Sequence, residues 1–445
     1  MRLSLKILLV IGMTIALLIP LTMVRGVVHD RQRYRAEAVA DVAKSTAGAQ
    51  TLEAPVLFVP YEDRTVATTT DERGAKQPVE HVETGTLVYF PEHTRVSGKM
   101  RSIPRMRGLH EVRVYELDTA IRAAFRVQLP RPSDPRTART YAEPRLGIGI
   151  EDVRGLVGVP TLRVAGVAHR LQQGLGYGDR RGLHTRLAVP ANDAELAFDV
   201  EFDATLQGTE TLAIAPLGAR NEVTVTSTWP HPQFHGDFLP RTHSVTRDGF
   251  RAGWEISALA TNAQAQYRAR MQNRETSPGI DAIAVSLVDP VNVYSQVDRA
   301  TKYGLLFVLL TFVAFFMFES LRQLRIHPIQ YGLVGLALAI FFLLLLALSE
   351  RIAFGIAYVA SAAACIGLIG YYLGHVLRAR ARGIGFAATL TALYAALYGL
   401  LISEDNALVL GAGLLFVVLA AIMVLTRKVD WYQVAALPSS STPPA

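Results

Sequence analysis

Residues 331–374 form an almost unbroken apolar tract, interrupted once by Ser349, Glu350 and Arg351. A helix needs roughly 20 residues to cross the bilayer core, and this tract holds about twice that, so two spans and a turn fit it. A charged side chain costs about 2.5 to 3.5 kcal/mol at the bilayer centre on insertion scales and far less at the interface. The Ser-Glu-Arg break therefore marks a tight hairpin between two membrane helices.

Apolar residues make up 50% of the 445 positions, too many for an ordinary soluble chain of this size. The excess is confined to residues 3–24 and 303–426, while residues 25–300 have soluble composition. Six spans are expected, at 3–24, 303–321, 329–348, 352–374, 383–402 and 406–426. The first has the basic start of a signal peptide but a long apolar run without a convincing cleavage site, which reads as an uncleaved signal anchor. The expected organisation is an anchor at 1–24, a polar domain at 25–300, five further helices within 301–428 and a Pro/Ser-rich tail at 429–445.

Threaded in order, Arg2, Lys6, Arg322, Arg325, Arg378, Arg380, Arg382, Arg427 and Lys428 fall on one side of the membrane, and the two short turns opposite contain only Arg351. The positive-inside rule then puts both termini in the cytoplasm and residues 25–300 in the periplasm of a bacterial inner-membrane protein. Topology thus accounts for the formal charge of +7, and no nucleic-acid partner is expected. Cys365 is the single cysteine, so neither an intramolecular disulfide nor a cysteine zinc cluster can form.

After the anchor, RQRYRAEAVADVAKSTAGAQ is rich in helix formers and is expected to continue as a helix ending near Gly48. Beyond it come eight short runs of β type, PVLFVPY, TGTLVYF, HEVRVYEL, PTLRVAGVAH, ELAFDVEFDATL, EVTVTSTW, FRAGWEI and DAIAVSLV, punctuated by Gly, Pro and Asn. In one, Val223, Val225 and Ser227 face one way and Thr224, Thr226 and Thr228 the other, as in a half-buried strand. The expected fold class is a multi-pass α-helical membrane protein with a large β-rich, sandwich-like periplasmic domain.

The segments GAQTLEAPVLFVPY, MRGLHEVRVY, GIEDVRGL, APLGARNEVTVTSTWPHPQFHGDFLP, TKYGLLFVLLTFVAFFMFE, HPIQYGLVGLALAIFFLLLLALSE, SEDNALVLG and TRKVDWY resemble, in family order and over nearly the whole chain, the CreD family of bacterial inner-membrane proteins. Thr46-Ala47 stand where a Trp is usual before the glycine, Glu53-Ala54 replace a small or Gly-containing turn, and Ser403 stands where Gln is more usual. The resemblance implies a member of the Cre two-component regulon linked to envelope integrity and to tolerance of envelope-acting toxins. It supplies no catalytic residues.

The residues themselves offer several candidate sites. WPHPQFHGDF gathers His231, His235 and Asp237, with His243 beyond, as possible metal ligands. Pro232 breaks any helix there and no HExxH spacing occurs, so a packed corner is expected and no metal or other cofactor. Asp152 and Arg154 beside Gly155 read either as a surface recognition point or as a turn held by a local pair. Without a GxSxG, Walker or dinucleotide motif no enzyme is expected. Gly370 and Gly374 have small-xxx-small spacing, suited to close helix contact within the chain or to dimerisation.

Glu319, Glu350, Glu404 and Asp405 all fall at predicted span ends, where solvated capping needs no function. The expectation is therefore an envelope protein whose β domain binds or organises an unidentified envelope protein or glycan, with membrane lipids around its helices and its oligomeric state left open. A transporter or ion-coupled carrier using those carboxylates is the alternative. The turns LLALSERIAFG and LLISEDNALV share Ser-Glu, and Glu350 and Glu404 are expected to offer an acidic platform on the side of the β domain.

Overall fold

The structure is a computed structural model that describes residues 3–70, 76–108, 110–178, 180–190, 195–272, 279–287, 293–321, 327–376, 380–403 and 407–427. It divides into two compact units, one of residues 36–290 and one of residues 1–35 with 291–445.

The described residues of the 36–290 unit form three sheets of eight, six and four strands. Each of the eight β-type runs coincides with strand over most of its described residues, PTLRVAGVAH covering two strands and the turn between them, and several strands are longer than expected. His110–Gln128 extends over 19 residues and pairs antiparallel with both His93–Arg107 and Glu195–Thr209. Its alternation changes phase once: Val112 and Val114 are buried against Ala38 and Val42 of the long Leu18–Ser45 helix, whereas Tyr115, Leu117, Ile121, Phe125 and Val127 enter the main core. A single strand can serve both faces of its sheet in this way because successive side chains point oppositely. The main core is shared by all three sheets, with Leu52, Leu212 and Val285 from the four-stranded, Leu57, Leu146 and Ile148 from the six-stranded and Val96, Phe202 and Trp254 from the eight-stranded sheet.

A smaller core of Val56, Phe58, Leu175, Leu217, Ala263 and Tyr267 lies under the Ala263–Met271 helix. It closes one end of the Gln50–Glu53 strand, which runs parallel to Thr211–Ala215.

Among the described residues four helices are long and apolar enough to cross a membrane: Ile11–Ser45, Pro328–Ser349, Phe354–His375 and Gly383–Ile402. Val293–Lys302 and Gly304–Phe316 form a bent pair with a 44° angle that counts as a fifth, and Val409–Val424 is a shorter apolar helix. The bend is a feature that composition did not predict. Arg25 donates to the Thr301 carbonyl (3.4 Å) beside the break, supplying a partner to a backbone acceptor next to it. Pro328–Ser349 begins at a capping box in which His327 accepts from Ile329 N–H and Gln330 returns to His327 N–H, and Pro328 occupies a first-turn position where its missing N–H costs nothing. The helix stops at Ser349 and the next begins at Phe354, so the Ser-Glu-Arg break is a tight turn between two apolar helices.

Candidate functional site

The 36–290 unit contains a cavity of about 630 Å³ whose wall includes Glu53, Glu151, Arg180, Arg181, Arg270 and Tyr177. The charged groups reach it from two strands' ends, one loop and one helix. Glu53 ends the Gln50–Glu53 strand, where Leu52 has already turned into the core. Gly149, at the end of the Arg145–Gly149 strand, makes room for it: a Cβ there would run into the Glu53 carboxylate. Arg180 and Arg181 come from the connection between strands Gln172–Gln173 and Gly182–Arg186, which turns through positive φ at Gly174, Gly176 and Gly178. Arg270 lies in the last turn of Ala263–Met271, next to Arg268, where cations are favoured by the helix dipole.

The Glu53 side chain is 8% exposed. Its Oε1 accepts from Arg180 Nη2 at 3.2 Å and lies 3.9 Å from Arg270 Nη1. Burial raises the Glu53 pKa above the ordinary 4.5, and the attraction of Arg180 and Arg270 does not bring it back, because one long contact to each guanidinium replaces only part of the lost hydration. The Arg180 guanidinium lies over the Tyr267 ring at 5.2 Å. Arg180 Nη1 and the Tyr267 hydroxyl are buried with no hydrogen-bond partner among the described residues, and burial raises the Tyr267 pKa well above its usual value. Arg181 Nη1 donates to the Glu151 carbonyl at 3.3 Å. The apolar side of the cavity is Tyr177, stacked on Phe58 at 5.4 Å, with Ile150 and Met271.

A second cleft of about 660 Å³ lies on the eight-stranded sheet among Lys99, Asp118, Thr161, Asp203, Thr224 and Thr226. Its carboxylates are already engaged: Asp118 accepts from Thr205 (2.8 Å) and faces Arg101 (3.4 Å), and Asp203 is 3.0 Å from Arg122. The arginine-lined cavity is therefore the stronger candidate, since its guanidiniums are the less fully satisfied set.

Asp152 and Arg154 form a structural turn. Asp152 caps the Val153–Gly155 turn, its carboxylate takes 2.9 and 2.6 Å hydrogen bonds from Arg154, and Arg154 Nη1 reaches the Lys44 carbonyl. These bonds hold the Asp152 carboxyl below the usual carboxylate range. Gln50 fastens the turn through the Asp152 and Gln207 carbonyls, and Gly155 has no space for a Cβ against Gln207 and Gln50.

The histidine-rich segment does not converge. His231 stands edge-on to Trp229, His235 contacts Ser286 Oγ at 2.7 Å, Asp237 accepts from Ala282 N–H at 2.8 Å, and His243 packs near Phe234. Among the described residues no three His, Cys, Asp or Glu side chains come together to hold a metal ion.

In the helical unit, Glu350 meets Arg31 at 3.2 Å and the Tyr294 hydroxyl at 3.4 Å and is 11% exposed, so it fastens helices together instead of standing free in a turn. Glu319 also differs from its expected solvated position: it is 3% exposed and accepts from the Tyr331 hydroxyl at 2.8 Å. Glu404 and Asp405 lie outside the described residues. Gly370 and Gly374 pack within the chain, where a Cβ on Gly383 would come within 2.9 Å of both. Cys365 is buried, 3.0 Å from the Tyr394 hydroxyl.

No sequence motif marks Glu53, Arg180, Arg181 or Arg270. The available signal was Glu53 itself, a carboxylate in the otherwise apolar TLEAPVLFV stretch and a departure from the resemblance pattern.

Comparison with known proteins gives a consistent picture. The family described as "Inner membrane protein CreD" matches residues 2–432. "Inner membrane protein CreD" of Escherichia coli (strain K12) is 35% identical over 425 residues, covering 95% of this chain and 92% of that one. Among solved structures, an M1 zinc metallopeptidase from Deinococcus radiodurans aligns over 44% of this chain and 42% of its own at 8% identity and a TM-score of 0.21. Native leukotriene A4 hydrolase from Saccharomyces cerevisiae aligns over 44% and 28% at 9% identity and a TM-score of 0.22. Similarity at that level carries no argument about fold or activity.

Proposed function

Because the chain belongs to the CreD family of inner membrane proteins, we propose that it is a non-enzymatic protein of the bacterial inner membrane that contributes to envelope integrity and stress tolerance, its β-rich unit binding an envelope component. The observation that carries the binding role is the cavity at Glu53, which brings three guanidiniums from a loop and a helix to one opening. The size falls within the few hundred to about 1,000 Å³ of small-ligand sites. Deleting the gene in its own host tests the role. Increased sensitivity to detergents, β-lactams and envelope-acting toxins is the expected result, and unchanged sensitivity and morphology would remove it.

The proposed topology places residues 25–300 in the periplasm and both termini in the cytoplasm. It rests on the positive-inside distribution and on six crossings, counting the bent pair and the Val409–Val424 helix with the four long ones. Protease added to spheroplasts should cleave the β unit. Protection there, with cleavage in inverted vesicles, would reverse the orientation.

Glu319 favours a second reading, an ion-coupled carrier, because a carboxylate enclosed within a helix bundle marks ion pathways more often than a solvated one does. Loss of uptake or efflux in Glu319→Gln at normal protein level would support it, and unchanged flux would discard it.

A further inference from the structure

The cavity at Glu53 has features that narrow what it accepts, provided the reading of the β unit as a binding unit holds. Arg180 is committed to Glu53 and to the Tyr267 ring. Arg270 is held less firmly: its contact with Glu53 is 3.9 Å and its side chain is 44% exposed at the end of a helix. Arg181 is exposed and anchored only to the Glu151 carbonyl among the described residues. Two guanidiniums on the cavity wall therefore keep donors for an incoming group, since each carries five N–H bonds in a planar fork.

The charge balance limits that group. Among the described residues, three arginines and two glutamates line the opening, a balance of one net positive charge in a partly desolvated site. A monoanion is matched, whereas a dianion or polyphosphate would stand against Glu53 and Glu151 with too little compensation. The planar guanidinium fork pairs with carboxylate in two parallel hydrogen bonds. The same cavity is also lined by apolar and aromatic side chains, those of Tyr177, Ile150 and Met271. From these features we infer that the cavity binds a carboxylate-terminated peptide, its carboxylate between Arg181 and Arg270 and its side chains against Tyr177 and Met271.

The intact chain, purified in detergent, is titrated calorimetrically with N-acetyl-Ala-Ala in its L and D forms, with the corresponding C-terminal amides and with inorganic phosphate. Saturable binding of at least one dipeptide at about 1 mM or tighter is expected, with at least a tenfold loss in its amide and no competition from phosphate. Arg270→Gln, at an exposed helix end, should weaken binding at least tenfold. Arg181→Gln should do the same and carries the test if the first variant misfolds. Absence of dipeptide binding, equal affinity for acid and amide, displacement by phosphate at lower concentration, or wild-type affinity in a folded arginine variant overturns the inference.

The two proposals fail separately. If neither dipeptide binds but loss of the gene still weakens the envelope, the ligand class is wrong and the envelope role stands. If the dipeptide binds as described and the deletion strain is indistinguishable from wild type, the envelope role is wrong and the site stands.

Discussion

Among the acidic residues of the β unit that pair with arginine, Asp63 and Glu53 behave oppositely. Asp63 in the Val56–Thr70 strand lies directly across from Arg139 in Thr137–Tyr141. Arg139 gives it two hydrogen bonds, of 2.7 and 2.6 Å, and covers the Tyr61 ring at 4.1 Å. Those bonds outweigh burial and hold the Asp63 carboxyl below its ordinary 3.8. Glu53 is more enclosed, 8% exposed against 15% for Asp63, yet has one 3.2 Å bond from Arg180 and a distant Arg270, and its carboxyl is raised. Sheet register aligns the first pair as a fork, whereas a loop and a helix deliver the partners of the second. Pairing with arginine is therefore no measure of satisfaction: bidentate geometry makes Asp63 a fastener, and its lack leaves Glu53 at an incomplete site beside a cavity.

The largest effect that can break this contrast comes from Gly149→Ala. The new Cβ would meet the Glu53 carboxylate, and displacement of that group should cost about 1 to 3 kcal/mol in stability and abolish dipeptide binding. Chemical denaturation and titration of the same preparation measure both effects. Wild-type binding in this variant would show that Glu53 does not shape the site.

Next in size is Asp63→Asn. Removing the carboxylate takes away a charge-assisted pair from a guanidinium that is only 14% exposed, and a loss of about 2 kcal/mol is expected. Glu53→Gln should cost less, about 1 kcal/mol or below, because relief of carboxylate burial offsets the weakened bond to Arg180. Equal losses would erase the distinction between fastener and site.

The pH dependence of stability sharpens the contrast through its sign. The Asp63 carboxyl is depressed in the folded chain, so its contribution is present above the ordinary 3.8 and is lost as pH falls through the folded value. The Glu53 carboxyl is raised, so the folded state holds its proton more tightly, and stability falls as pH rises from 4.5 through the folded value. Melting curves across the acid range should thus tilt oppositely in the two variants. Asp63→Asn reduces the loss on acidification, and Glu53→Gln increases it. Tilts of the same sign would contradict the geometry.

The smallest stability change is expected in the helical unit. Glu350→Gln weakens the contact with Arg31, which is 38% exposed, and should cost under about 1 kcal/mol. A larger loss in thermal melting would identify Glu350 as something more than a tie between helices.

Much of the fold could be read because apolar periodicity is local. Continuous runs exposed the long helices, alternation located the eight expected strand segments, and Ser349-Glu350-Arg351 marked the hairpin. The His93–Arg107 strand escaped because Pro104 and several basic residues obscure an alternation in which Thr94, Val96 and Met100 face the interior and Gly98 leaves space for Leu117. The helix bend at Lys302 to Gly304 escaped because apolar composition does not specify backbone direction. Asp152-Arg154 was visible as a turn, since cap, carboxylate and arginine lie within three residues. The Glu53 cavity was not: its three arginines, Arg180, Arg181 and Arg270, are 127, 128 and 217 positions away from Glu53, and only tertiary structure joins them.

The central claim, that the cavity at Glu53 serves the envelope, is tested most directly by returning the chain to a deletion strain with Arg181→Gln and Arg270→Gln combined, at wild-type protein level. The account predicts that wild-type protein restores resistance to detergent and β-lactam whereas the double variant leaves the strain sensitive. Full restoration by the folded double variant would contradict it.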